Sequence, residues 1–414
     1  MKLRKILAGM ALVATLCMPA CAFDSREELR AARDALGQWQ GVSVYAQAPS
    51  VRAPYAAGAL DEKLLDDALA YLNYLRAVAG LAPVTRSKLY DARCQHGAAL
   101  LAALDYADHN APRPDDMDAD FYDTAHTATS SSNLAKFNWM RPSILREGLE
   151  YFVRDDGDAN LVVLGHRQWL LNPKMAETGF GLANSESGMS YVLMYAHDMG
   201  NAGAQWETVF WPAEGAFPVE LMHANLAWSV TLNAGEYDLV HSDVRVTISE
   251  ETRGLSFQFN CTAGTGDGFC AVSDAGYGAG PCVIFRPDFT GTDFTDYEQN
   301  QRWTVRVEGL RRQSGETASL VYTTEMVSVT PQKTVNVEIT PLEARLTAGQ
   351  TLQMEALVVP QYADDLSVRW SSTDAGVAAV DEDGLVTAVA PGECEIIVQT
   401  ANGCEDRCRL TVEA

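Results

Sequence analysis

The hydrophobic period of this chain changes once, near residue 200, and that change constrains the fold more than any single motif. Upstream, Leu64, Leu65, Ala68, Leu69, Leu72 and Leu75 recur at three- and four-residue spacings, as on a helix with one buried face. Downstream, Val244-Arg245-Val246-Thr247-Ile248, Trp303-Thr304-Val305-Arg306-Val307 and Ser319-Leu320-Val321-Tyr322 alternate between Gly-rich turns. That is the pattern of half-buried strands in a sandwich. At 414 residues the chain exceeds what one hydrophobic core normally serves, so the change of period reads as a domain boundary.

Within the helical part, Ser25 and the acidic pair Glu27 and Glu28 predict a short helix over 25–36; residues 23–60 form this helix and a linker. A helix from Asp61 is broken by Leu81-Ala82-Pro83-Val84, and a second spans about 87–106. Residues 110–132, rich in Asp, Thr and Ser, read as a long surface loop. A third helix covers 143–155 on Ile144, Leu145, Leu149 and Phe152. A fourth begins at Asn160 or Leu161 and carries His166. Residues 189–195 read as a strand.

The first five residues carry a basic head and residues 6–16 an apolar core, too short to span a bilayer. Residues 1–22 therefore read as a secretory signal cleaved before Phe23, which places the mature chain outside the cell or on its surface. Met18-Pro19-Ala20-Cys21 offers a rival, an imperfect lipobox anchoring the chain through Cys21. Met in place of the preferred Leu favours plain secretion. No transmembrane segment is expected in the mature chain. With 31 basic and 55 acidic residues the net charge is −24, which disfavours nucleic acid and anionic headgroups as partners. Seven cysteines follow the signal, an odd number. Cys94 reads as a buried free thiol, and Cys394 with Cys404 or Cys408 as a candidate staple of a terminal hairpin.

In the last eighty or so residues, Val335-Asn336-Val337-Glu338-Ile339, Trp370-Ser371-Ser372, Gly384-Leu385-Val386-Thr387-Ala388 and Cys408-Arg409-Leu410-Thr411-Val412 stand in a fixed order. This segment, 333–414, resembles the bacterial Ig-like group 2 module, and 201–332 reads as a separate β-sandwich. In the helical part, Asn73-Tyr74-Leu75-Arg76, the Leu81-Ala82-Pro83-Val84 break, His109 and Gly165-His166-Arg167-Gln168-Trp169-Leu170-Leu171-Asn172-Pro173 follow one another. Gly179-Phe180-Gly181 comes soon after. Residues 61–200 thereby resemble the CAP superfamily (cysteine-rich secretory, antigen 5 and pathogenesis-related proteins), especially its bacterial branch. The expected fold is multidomain: an αβα-sandwich CAP domain followed by two all-β Ig-like sandwich domains.

The resemblance implies a cleft with two histidines and two acids, which in some members binds a divalent metal. Carried over by position, the histidines are His109 and His166. The family's Gly-Glu-Asn segment falls on Ser131-Ser132-Asn133, so Ser132 replaces its glutamate. Asp155, three residues after Phe152, fits the second acid, with Asp156 equally near; beside Gly157-Asp158 the pair also reads as an acidic turn closing a helix. His126 reads as solvated, and His109 as the residue ending the second helix.

Two functions stay open. One is a non-enzymatic binding protein whose cleft of His109, Ser132, Asp155 and His166 takes a small apolar ligand, a peptide or a cell-surface component, with the β-modules as spacer or adhesion units. The alternative is a metal-dependent hydrolase or peptidase using His109, His166 and Asp155 around a zinc-activated water. A Ser132–His166–Asp155 triad is a third geometry, against which stands the missing Gly-x-Ser-x-Gly elbow.

Overall fold

The computed structural model describes residues 22–37, 43–157, 160–361 and 363–414; the apolar leader and Cys21 lie outside them. Two compact units divide the chain, one ending at Val327 and the other running from Ser328 to Ala414. The first unit carries helices α1 (Arg26–Asp34), α2 (Glu62–Val78), α3 (Lys88–Leu104), α4 (Ala119–Thr129), α5 (Ile144–Arg154) and α6 (Gly165–Leu170). No described helix is long and apolar enough to cross a membrane.

Ser132–Phe137, Ser190–Tyr195 and Phe180–Asn184 form an antiparallel sheet with Ser190–Tyr195 in the middle. The middle strand is buried on both faces. Tyr191, Leu193 and Tyr195 join α3 and α4 in one core, while Val192 lies against Gly148 of α5, on the other side. The result is an αβα sandwich. Gly179 and Gly181 explain the bracketed aromatic: a Cβ on Gly179 would stand 2.3 Å from Asp91 N, and one on Gly181 2.1 Å from Cys94 O. Only glycine lets the α3 backbone lie this close to the strand.

The Asn-Tyr-Leu-Arg run of α2 is equally structural. The Asn73 side chain pairs both ways with Val84, donating to its carbonyl at 3.0 Å and accepting from its N–H at 2.8 Å. Arg76, almost fully buried, donates to the carbonyls of Ala82, Leu170 and Asn172, each at 3.0 Å. Burial lowers its pKa to about 10.

Two local readings change. Residues 110–132 are not all loop, because they contain α4. Asp118 caps it by accepting from Asp120 N and Phe121 N, and Ala125 and Ala128 pack against Gly97 of α3. Its Thr and Ser hydroxyls bond carbonyls one turn back (Thr124 to Asp120, Thr127 to Asp123, Ser130 to His126), which removes the competition that makes such residues look non-helical. The helix carrying His166 starts at Gly165 rather than at Asn160. Residues 160–164 form a turn that ends with Leu164 in the left-handed region, at φ 49°.

Beyond residue 200 the first unit closes a sandwich of two sheets. Thr208–Trp211, Trp228–Leu232, Cys282–Pro287 and Gly268–Ser273 form one; the other has Arg245–Glu250, Arg302–Arg311 and Thr317–Val327 at its centre. Trp211, Trp228, Phe285 and Trp303 fill the space between, and Trp228 donates its indole N–H to Tyr297 OH at 2.7 Å. The second unit is a smaller all-β sandwich around Val337, Ile339, Ile396, Val398, Leu410 and Val412. Its Trp370 is half-buried and covers Gly384, whose φ is 80°. All seven cysteines among the described residues are free thiols, Cys394, Cys404 and Cys408 included.

Candidate functional site

The Asp155–His166 pair is the best-built polar feature of the αβα part. Asp155 caps α5 in the left-handed region, φ 51°, a conformation Asp tolerates better than most residues. Its side chain is fully buried. One carboxylate oxygen sits 2.9 Å from His166 Nδ1, and the other accepts the Arg167 N–H at 3.3 Å. A carboxylate only accepts, so Nδ1 carries a proton in this pair, and in the neutral ring Nε2 is then the acceptor. The Asn160 amide lies 3.2 Å from the same Nδ1 and meets that proton only with its oxygen turned inward.

Both Asp155 oxygens are thus engaged by protein donors. The residue orients His166, as a carboxylate behind a liganding or basic histidine does, and the acidic-turn reading gives way to it. Tyr151 and Phe152 flank the imidazole at 6.1 and 5.5 Å between centroids. From the sheet, Asn133 donates to His166 O at 2.9 Å.

Ser132 goes elsewhere. Neighbouring strand residues face opposite ways, so with Asn133 turned to His166, Ser132 turns to α3. There its hydroxyl lies 3.6 Å from Cys94 Sγ, and burial raises the Cys94 thiol to about 12. The Ser132–His166–Asp155 triad therefore does not form. Of the expected cleft residues, the structure joins Asp155 to His166 and withdraws Ser132 into the core.

His109 stands five residues past the end of α3, which closes at Asp105 in the left-handed region. Its Nδ1 meets the Thr129 carbonyl at 2.8 Å. The other ring partner in this region is His197, which sequence reasoning passed over. Its ring lies 4.3 Å from that of Trp169, and burial and then the nearby His109 push its pKa down. His197 is placed by its neighbour Asp198, which accepts backbone N–H groups from Ala176, Glu177 and Gly200. Burial raises that carboxyl, but these donors and Tyr90 outweigh it and hold it below the ordinary range. His166 and Trp169 are three residues apart on α6, hence neighbours on its surface. The only signal for His197 was its place just past an apolar strand. His126 is half-buried and pairs with Asn110 at 3.1 Å. Among the described residues, no group of three or more His, Cys, Asp or Glu is placed to hold a metal ion.

α6 is fastened from behind. Arg167, fully buried, donates to the carbonyls of Val153 (2.6 Å), Arg154 (2.7 Å) and Ala227 (2.7 Å) and to Ser229 Oγ (3.2 Å). Burial lowers its pKa to about 10 against the pull of Asp155. Leu164 packs with Ala227, Cys282 and Ile284. Burying a Leu stabilises by about 2 kcal/mol, enough to offset the ~1–2 kcal/mol that the left-handed backbone costs it.

Residues 69–195 match the model of the cysteine-rich secretory protein family, CAP, and residues 325–412 that of the bacterial Ig-like domain, group 2. The chain carries a CAP domain and a bacterial Ig-like domain. The CAP match spans His109, Asp155 and His166 and stops just short of His197. Among curated proteins the chain is similar to an uncharacterised protein, CA_C0552, of Clostridium acetobutylicum, 44% identical over 59 residues, 14% of this chain and 15% of that one. It is also similar to the lacto-N-biosidase of Bifidobacterium bifidum, 43% identical over 67 residues, 16% of this chain and 6% of that one. The chain thus spans no more than 15% of the length of these relatives. A solved structure of the N-terminal part of the S-layer protein SbsC is 8% identical with a TM-score of 0.17, covering 45% of this chain and 41% of its own. A C-terminal intimin fragment in complex with its receptor's intimin-binding domain is 13% identical with a TM-score of 0.15, covering 45% and 58%.

Proposed function

We propose that this is an exported CAP-domain protein whose cleft beside His166 binds a small apolar ligand, a peptide or a cell-surface component, without chemistry of its own. The β-modules hold it at the surface. The observation carrying the reading is the Asp155–His166 pair: a buried acid aims one imidazole and leaves Nε2 as an acceptor. Tyr151 beside the imidazole and the Trp169–His197 ring pair one turn further along α6 supply partly exposed aromatic surface, with Phe152 packed behind the ring, the mixture that ligand sites use. Relatives named as a lacto-N-biosidase and a galactosyl-arabinofuranosidase share a 67-residue segment with this chain, 6% of each of them, which is compatible with work among glycans. The hydrolase reading needs a carboxylate on the metal, and Asp155 already gives both oxygens to His166 and Arg167.

The test is a titration of the labelled chain with palmitate, an apolar tripeptide and soluble peptidoglycan fragments, read by NMR. One probe should shift His166, Trp169 and His197, and the shifts should vanish in His166→Ala. A cleft untouched by all three probes removes the binding reading. Near-stoichiometric zinc retained through dialysis, and lost in both His109→Ala and His166→Ala, replaces it with the hydrolase.

A further inference from the structure

The sandwich that follows the CAP domain packs against the short helix carrying His166, and four features meet there. Leu164, immediately before α6, is held in a left-handed conformation by Ala227, Cys282 and Ile284 of the sandwich. Arg167 spans the junction, giving two bonds to the α5 end and two to Ala227 and Ser229. Gly165 leaves room for Tyr277 of the sandwich loop 274–281: a Cβ there would stand 3.0 Å from the Tyr277 ring. Gly278 of the same loop returns the fit. It is buried, has φ 63°, and its Cβ would stand 2.4 Å from Gln168 O. Gly278 thus lets the loop backbone lie against the α6 backbone, while Gly165 leaves room for the Tyr277 ring.

We propose that the sandwich is a positioning element of the CAP cleft: through Arg167, Leu164 and the Tyr277-Gly278 loop it sets the start and rotation of α6, and so keeps His166 on Asp155. It is not a passive spacer. The same Asp155 carboxylate that takes His166 Nδ1 also takes the Arg167 N–H, so a turn of α6 that loosens Arg167 loosens both bonds. Arg167, Leu164 and Gly278 are positioning residues, with no place on the ligand side.

The inference rests on the binding reading of the His166 cleft only for its purpose. The readout is the His166 tautomer in the ligand-free, full-length chain by nitrogen-15 NMR, so failure of positioning and failure of ligand binding are separate results. The parent should show one tautomer, protonated at Nδ1. Arg167→Met should lose that single signature and show both tautomers, with Arg167→Lys restoring part of it. Gly278→Ala, in the loop 274–281, should do the same while the sandwich keeps its own NMR dispersion; it decides the matter if Arg167→Met does not fold. Folded Gly278→Ala and Arg167→Met proteins that keep a pure Nδ1–H signature and parental hydrogen exchange in α6 would overturn the proposal.

Discussion

Gly181→Ala tests how tightly α3 is seated on the sheet. The new methyl would stand 2.1 Å from Cys94 O and 2.2 Å from Cys94 C, where ordinary contact begins at 3.4 Å. Both neighbours are backbone, so no side chain can swing away. The helix and strand must part by about 1.3 Å, the difference between those distances. Gln95 ties the same two elements, accepting from Leu182 N at 3.0 Å and donating to Leu182 O at 2.8 Å; a displacement of that size takes both bonds out of range. Overpacking costs about 1–3 kcal/mol, and each lost buried bond adds about 1 kcal/mol. The expected loss is therefore about 3–5 kcal/mol, a large share of the ~5–15 kcal/mol that holds a typical domain. Gly148→Ala is the control. Its methyl crowds one atom, Val192 Cγ1 at 2.7 Å, with the Val192 Cβ at ordinary contact distance, 3.4 Å; that is a side chain, not backbone, and can shift. Alanine in a helix interior also recovers about 1 kcal/mol over glycine, so this variant should stay within ~1 kcal/mol of the parent. Urea unfolding followed by far-ultraviolet circular dichroism reads both, since every described α-helix lies in the first unit. A Gly181→Ala protein within ~1 kcal/mol of the parent at unchanged denaturant slope would refute the argument.

Asp91 makes stability depend on pH. Burial raises its carboxyl to about 6, even though Phe180 N–H and Arg86 pull it down. A folded pKa above the unfolded one means folding favours the protonated form. The stabilisation is fully present below pH 3.8 and is lost as pH rises through about 6, a swing of about 3 kcal/mol at ~1.4 kcal/mol per pKa unit. Asp91→Asn should flatten that part of the stability profile, and a profile unchanged between pH 4 and 6 would contradict it. Asp118→Ala removes the acceptor that caps α4 at Asp120 N and Phe121 N and should cost about 1 kcal/mol. Amide hydrogen exchange should rise first at Asp120 and Phe121; equal protection in both proteins would show that the cap contributes nothing.

Much of this architecture was legible in the residues. The switch from a 3.6-residue to a 2-residue period reports which side of each element meets a core, and burial acts on each element locally. The bracketing of Phe180 by Gly179 and Gly181, the Leu81-Ala82-Pro83-Val84 break and the Ser25 cap are signals of the same local kind. Where reading failed, at α4 and at the start of α6, the deciding contacts came from elsewhere: Gly97 of α3 accepting Ala125 and Ala128, and Ile284 and Ala227 of the sandwich holding Leu164.

The candidate site divides along the same line. His109, His166 and Asp155 were reached through the resemblance to the CAP family, carried over by position. Spacing alone left Asp155 an equal of Asp156, and Ser132 an equal of any cleft residue. Only the tertiary structure turns Asp155 inward onto His166, faces Ser132 to Cys94, and brings His197 onto Trp169. The reason is physical: hydrogen bonds and ring contacts join groups whose separation is set by packing between elements, whereas sequence period records only the face each element buries.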